Sequence, residues 1–144
     1  MRTTILRSCL TALACSAAIA LAIPAMAASV NLKADLRAAS EVPPTDSKGT
    51  GSVTATYDTG SKKLSWKGTV SGLSGPATAA HFHAGEAGKN GGVVVPIAGA
   101  DKGSFEGSAT LTDEQAADLM AGKWYVNVHT AANKAGEIRG QVTK

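Results

Sequence analysis

The sequence has little cysteine, few aromatic residues and no long apolar run after residue 27. Its 144 residues include two cysteines, Cys9 and Cys15, and only 4% aromatic side chains. Beyond Cys15 the chain offers no thiolate, which excludes a blue-copper centre there, because such a centre needs a cysteine ligand. It also excludes a disulfide in the same region. A domain of this kind is stabilised by packing alone, or by packing together with a metal ion.

Apart from its N-terminal segment, the sequence also has almost no excess of basic over acidic residues. The chain has 14 basic and 11 acidic residues, and the basic ones include Arg2 and Arg7. The remainder is close to neutral, so there is no electrostatic basis for binding nucleic acid or an anionic membrane. No later apolar run is long enough to span a bilayer.

Residues 1–27 have the three parts of a secretory signal peptide. Basic residues come first, an apolar block covers about 10–23, and the segment ends in Ala25-Met26-Ala27. We expect cleavage after Ala27, which leaves residues 28–144 as one periplasmic or secreted domain without a membrane anchor. A transmembrane anchor is disfavoured because the block is short and rich in alanine. A lipoprotein cleaved before Cys15 is disfavoured because the residues before it make a poor lipobox.

Most of residues 28–144 alternates between apolar and polar residues in short runs separated by turn-forming residues, the pattern of antiparallel strands. The runs predict strands over 30–38, 52–57, 63–71, 79–84, 93–97, 104–110, 124–129 and 137–142. A helix is predicted after Thr112, because Thr112 and Gln115 can form a capping box and Gly122 provides a stop. About eight antiparallel strands with one short helix predict an all-β Greek-key β-sandwich or flattened barrel.

The three histidines of the sequence all lie in predicted strands. His81 and His83 flank Phe82, so both imidazoles project from one face of their strand and Phe82 from the other. In the run 124–129 the large apolar residues have the opposite parity to His129, which places His129 on the face away from the core. If the two strands are neighbours, the three imidazoles converge.

Converging neutral imidazoles suit copper, zinc, nickel or iron. We therefore predict that His81, His83 and His129 bind one metal ion and leave at least one coordination position open. Histidines on a polar face are also common as ordinary surface residues, and that alternative stays open here. A zinc hydrolase is a further alternative, with Glu86 as the nearest candidate for a general base.

Arg139 lies on the polar face of the last predicted strand. If this strand pairs with the strand of His129, the guanidinium is expected beside the metal, where it would attract a small anion to the open position. An ordinary ion pair with Glu137 or Glu86 is the alternative. Glu137 or Asn127 is expected to orient one of the ligand histidines from behind.

Several segments together resemble the CHRD domain, a family named for repeats in chordin and found in many secreted bacterial proteins. The segments are 80–85, 90–94, 111–122, 125–130 and the distinctive Gly136-Glu137-Ile138-Arg139-Gly140-Gln141. The resemblance extends over about residues 30–142 and implies that residues 28–144 form one CHRD domain. In chordin such domains belong to an extracellular protein that binds growth factors.

The histidine pattern is also similar to the copper site of the Cu/Zn superoxide dismutases, which have a Greek-key β scaffold. This likeness implies a copper-dependent superoxide dismutase with one copper ion per domain, bound by His81, His83 and His129. Its substrate would be a small anion such as superoxide, which Arg139 would steer as a catalytic residue. The chain departs from those enzymes because it has no second cluster for zinc and no disulfide, so a copper-only variant is what it permits.

Two other functions remain open at this point. One is a non-enzymatic extracellular or periplasmic module that binds a protein or another ligand through a sheet face or loops. The other is a copper storage or delivery protein, which would bind the metal tightly without turning over superoxide.

Overall fold

The computed structural model describes residues 27–144, so the predicted signal peptide lies outside the described residues except for Ala27. All eight predicted strands are present, and their ends fall within two residues of the predicted ones. They are β1 (Ser29–Arg37), β2 (Thr50–Asp58), β3 (Lys63–Ser71), β4 (Ala77–Ala84), β5 (Val93–Ile97), β6 (Ser104–Thr110), β7 (Trp124–Thr130) and β8 (Ile138–Gln141).

The strands form one antiparallel sheet in the order β5-β4-β7-β8-β1-β2-β3-β6. Three neighbouring pairs, β4–β7, β3–β6 and β1–β8, are not consecutive in the chain, as in Greek-key connections. The two edge strands, β5 and β6, also contact each other. The sheet therefore curls into a nearly closed barrel, which confirms the predicted all-β class.

Alternate residues of every strand point into the barrel and form its core. Phe82 is fully buried between two tryptophans, with its ring centroid 5.2 Å from that of Trp66 and 5.9 Å from that of Trp124. Burying one large apolar side chain stabilises a fold by roughly 1.5–3 kcal/mol. Because Phe82 is fixed in the core, the residues on either side of it must point out of the barrel.

The predicted helix is present as α1 (Asp113–Met120) and links β6 to β7. Its capping box is complete: Thr112 Oγ1 accepts from the Gln115 amide at 3.2 Å, and Gln115 Oε1 accepts from the Thr112 amide at 3.0 Å. Leu119 packs into the core, and Gly122, with φ of 72°, ends the helix in the left-handed region. Within residues 27–144 no helix has the length and hydropathy to cross a membrane.

A buried carboxylate, that of Glu137, joins three loops just before β8. It accepts hydrogen bonds from Ser47 Oγ at 2.6 Å, from the Ser74 amide at 2.7 Å and hydroxyl at 2.5 Å, from Asn133 Nδ2 at 3.1 Å, and from the Thr130 hydroxyl. Burial disfavours the charge, but the hydroxyl and amide donors outweigh it and lower the pKa of Glu137 to about 2. Neutral hydroxyl and amide groups therefore stabilise the buried Glu137 carboxylate in place of water.

Candidate metal centre

The histidine strands β4 and β7 are direct neighbours in the sheet. Their antiparallel register places His81 opposite Asn127, His83 opposite Tyr125, and Ala79 opposite His129. All three imidazoles project from the outer face, and each offers a ring nitrogen within 4.8 Å of the others. The convergence that strand parity predicts is present in the structure.

Two backbone carbonyls orient two of the rings. His83 Nδ1 lies 3.0 Å from the Gly91 carbonyl oxygen, and His129 Nδ1 lies 2.9 Å from that of Lys134. A carbonyl oxygen only accepts, so each Nδ1 carries the proton and each Nε2 keeps its lone pair. His83 Nε2 is buried and has no hydrogen-bond partner among the described residues. Its lone pair can therefore bind a metal ion.

The remaining geometry also suits a single ion. His129 Nε2 lies 3.3 Å from His81 Nδ1, and the ring centroids are 5.2–6.2 Å apart. His83 is 9% exposed, whereas His81 and His129 are half-buried and leave the outer side of the cluster accessible. Three nitrogens with an accessible side can hold copper or zinc and still leave a coordination position open.

The cluster also disfavours protonation, which would block metal binding. Burial lowers the pKa of His81, and the neighbouring His129 and His83 lower it further. Burial likewise lowers the pKa of His83, although its bond to the Gly91 carbonyl acts in the opposite direction. A metal ligand must be the neutral imidazole, and the lowered pKa values of His81 and His83 favour that form.

Arg139 is part of a layered stack with Tyr125 and His83. The Tyr125 ring lies 4.8 Å from the His83 ring at an angle of 12°, and Arg139 Cζ lies 3.4 Å from the Tyr125 centroid. β8 pairs with β7 as predicted, with Arg139 opposite Asn127. Arg139 is 2% exposed, so the structure places it inside the domain, against a tyrosine that stacks on a candidate ligand.

The Arg139 guanidinium directs its hydrogen bonds to the loop between β4 and β5. It donates to the carbonyl oxygens of Lys89 at 2.6 Å and Glu86 at 3.4 Å, and to Asn90 Oδ1 at 3.0 Å. Neither Glu137 nor Glu86 forms a carboxylate ion pair with it among the described residues. The predicted alternative of a surface ion pair is therefore wrong, because the loop folds over the sheet and supplies the acceptors.

The prediction that Glu137 or Asn127 orients a histidine is also wrong. Glu137 bonds to the loops before β8, and Asn127 Nδ2 donates to Glu41 Oε1 at 2.6 Å. The groups that orient His83 and His129 are the carbonyls of Gly91 and Lys134. No side-chain pattern signals them, since any residue can supply a backbone carbonyl.

A family model described as the CHRD domain matches residues 32–142, which includes the three histidines and Arg139. The chain belongs to the CHRD domain family. CHRD domains occur in extracellular or periplasmic proteins. No curated protein and no solved structure matches this chain significantly, and the family match does not extend to the superoxide dismutase likeness.

One buried acidic residue of this CHRD domain, Glu41, lies between the predicted strands 30–38 and 52–57, and the sequence did not predict a role for it. Glu41 is 6% exposed and lines a cleft together with Arg139 and Gln141. Burial raises the pKa of Glu41 to about 7, although the Arg139 charge and the Asn127 hydrogen bond lower it. The signal that could have found it is weak: a single acidic residue before Pro43 and Pro44.

The ionisation of Glu41 should make the stability of the domain fall as the pH rises. Its pKa is higher in the folded state than in the unfolded state, so its contribution is present at low pH and is lost as the pH rises through about 7. Relative to Glu41→Gln, the wild-type CHRD domain should lose about 2 kcal/mol of unfolding free energy between pH 5.5 and pH 8. Urea denaturation at both pH values measures this difference.

The comparison isolates Glu41 because His81 and His83 titrate alike in both proteins. Glutamine keeps an oxygen that can accept the Asn127 hydrogen bond, so the variant removes the ionisation and little else. If the difference in unfolding free energy between wild type and Glu41→Gln were the same at pH 5.5 and pH 8, the raised pKa of Glu41 would be contradicted.

Proposed function

We propose that this CHRD domain is an exported copper protein that dismutes superoxide, with one copper ion bound by His81, His83 and His129. The observation that carries the proposal is the buried His83 Nε2, which has no hydrogen-bond partner within residues 27–144 and lies beside two further ring nitrogens. Copper is favoured over the other divalent first-row ions because nitrogen ligands bind it most tightly.

Bound copper would supply one-electron exchange between Cu(II) and Cu(I). In the overall reaction, two superoxide anions and two protons give one O2 and one hydrogen peroxide. The chain's own residues hold the three ring nitrogens close together and leave the outer side of the cluster accessible. The positive charge of Arg139 also acts at the cluster, since it is one of the causes that lower the pKa of His83. A cation there attracts an anion.

A second candidate, copper storage or delivery, is favoured by the position of Arg139. Its guanidinium is buried and bonded to the Lys89 and Glu86 carbonyls and to Asn90. A guanidinium held in this way binds superoxide directly only if the loop moves. Storage or delivery needs the histidines but no contact between Arg139 and an anion.

Reconstitution with Cu(II) tests both candidates. The wild-type protein should take up one copper and give a single type-2 electron paramagnetic resonance signal with nitrogen hyperfine splitting, and His81→Ala should lose that signal. Superoxide decay is then followed by stopped-flow absorbance against the same concentration of free copper. A rate well above free copper supports the dismutase, whereas tight copper binding without such a rate supports storage or delivery. Absence of specific copper binding would leave a non-enzymatic interaction module.

A further inference from the structure

The loop of residues 85–92, between β4 and β5, is fixed to the barrel along most of its length. Gln141 Nε2 donates to the Gly85 carbonyl at 2.9 Å, and Arg139 donates to two carbonyls and to Asn90 Oδ1 in the middle of the loop. Asn90 Nδ2 in turn donates to the Val42 carbonyl at 2.9 Å. Side chains of β8 therefore hold a glycine-rich loop that has no regular structure of its own.

The far end of this loop contacts the metal centre. The Gly91 carbonyl accepts from His83 Nδ1 at 3.0 Å and from the Tyr125 hydroxyl at 3.3 Å, and the Gly91 amide donates to the same hydroxyl at 3.1 Å. The position of one carbonyl thus decides which nitrogen of His83 carries the proton. That carbonyl is next in the chain to Asn90, a direct partner of Arg139.

We propose that Arg139 is a positioning residue for His83. Its guanidinium holds the 85–92 loop so that the Gly91 carbonyl keeps the proton on His83 Nδ1 and leaves Nε2 free as a ligand. The ligand role of His83 rests on the proposed function, whereas its tautomer does not. The planar guanidinium stacks on Tyr125 while its in-plane N–H groups donate to three acceptors, whereas the compact ammonium of lysine has donors but no plane that can stack.

The proposal differs from anion steering in what it requires of Arg139. Steering depends on positive charge, so Arg139→Lys should preserve it and Arg139→Gln should weaken it. Positioning depends on the shape of the guanidinium, so both variants should disturb His83. Arg37 supplies the matched control: it lies opposite Arg139 in the β1–β8 pairing and is exposed. Arg37→Gln removes a charge from the same region without touching the loop.

The experiment first uses the metal-free protein, so that it does not depend on copper. Nitrogen-15 spectra of labelled histidine should show His83 as the Nδ1-protonated tautomer in the wild type and in Arg37→Gln. They should show a mixture of tautomers in Arg139→Lys and Arg139→Gln. Hydrogen exchange at the Gly91 amide should accelerate at least about tenfold in both Arg139 variants. Their Cu(II) affinity should then fall by about tenfold or more, the usual effect of losing a group that orients a ligand.

A wild-type tautomer, exchange rate and copper affinity in Arg139→Lys would overturn the positioning role. If the tautomer depends on Arg139 but the wild type binds no copper, the proposed function fails and the positioning role stands. Should the Arg139 variants not fold, Asn90→Ala provides the test. Asn90 is exposed, and its replacement removes one of the three Arg139 acceptors and the bond to the Val42 carbonyl. It should mix the His83 tautomers in the same way, and an unchanged tautomer would count against the proposal.

Discussion

Replacing His129 with alanine is expected to abolish specific copper binding while the barrel stays folded. In the proposed site, His129 supplies one of the three nitrogens and is the only ligand from β7. Its ring is half-buried and bonds to the Lys134 carbonyl outside the core. The affinity should therefore fall by at least about 100-fold, more than for loss of an orienting group. The unfolding free energy should change by less than about 1 kcal/mol.

Copper titration against a competing chelator measures this loss of affinity. Glu86→Gln is the matched control, because Glu86 is exposed and lies in the loop next to the cluster without bonding to it through its carboxylate. Its copper affinity should equal that of the wild type. Stoichiometric copper with an unchanged resonance spectrum in His129→Ala would reject the three-histidine site.

Replacing Glu137 with alanine should lower the unfolding free energy by about 4 kcal/mol, more than any other substitution considered for this domain. The side chain has no solvent exposure, and its removal leaves the donors of Ser47, Ser74, Thr130 and Asn133 without their acceptor. Buried donors without an acceptor are costly because water no longer solvates them. Urea denaturation at pH 7 measures the change.

Glu106→Ala is the control for this loss, since Glu106 is exposed on β6 and its replacement should change stability by less than about 0.5 kcal/mol.

The pH dependence of the stability provides a second test of the role of Glu137. The pKa of Glu137 is about 2 in the folded state, below its unfolded value, so its contribution is complete above pH 4.5 and is lost as the pH falls towards 2. The difference between wild type and Glu137→Ala should therefore shrink at pH 3. An equal stability of the two proteins at pH 7 would show that the carboxylate does not hold the loops together.

The alternation of residues predicted the strands and the faces on which their side chains lie. The nine-residue run of β3 matches its predicted bounds, and the core position of Phe82 follows from parity. The same argument placed His81, His83 and His129 on the outer face. Parity is a local property of an extended backbone, so it can be read from a single strand without knowledge of its neighbours. The capping box at Thr112 is local in the same sense.

The class of fold and the shared face of the three histidines thus follow from the pattern of residues along each strand, whereas the convergence of the histidines depends on how the strands pair. Their meeting requires β4 beside β7, a pairing that brings together His81 and His129, 48 positions apart in the chain, and that alternation does not specify. The tertiary structure also buried Glu41, Glu137 and Arg139, which the sequence pattern had placed in a loop or on a polar face. The reason is that irregular loops fold over that face and supply backbone carbonyls and hydroxyls as partners. Such contacts depend on the path of the whole chain, and no single segment encodes them.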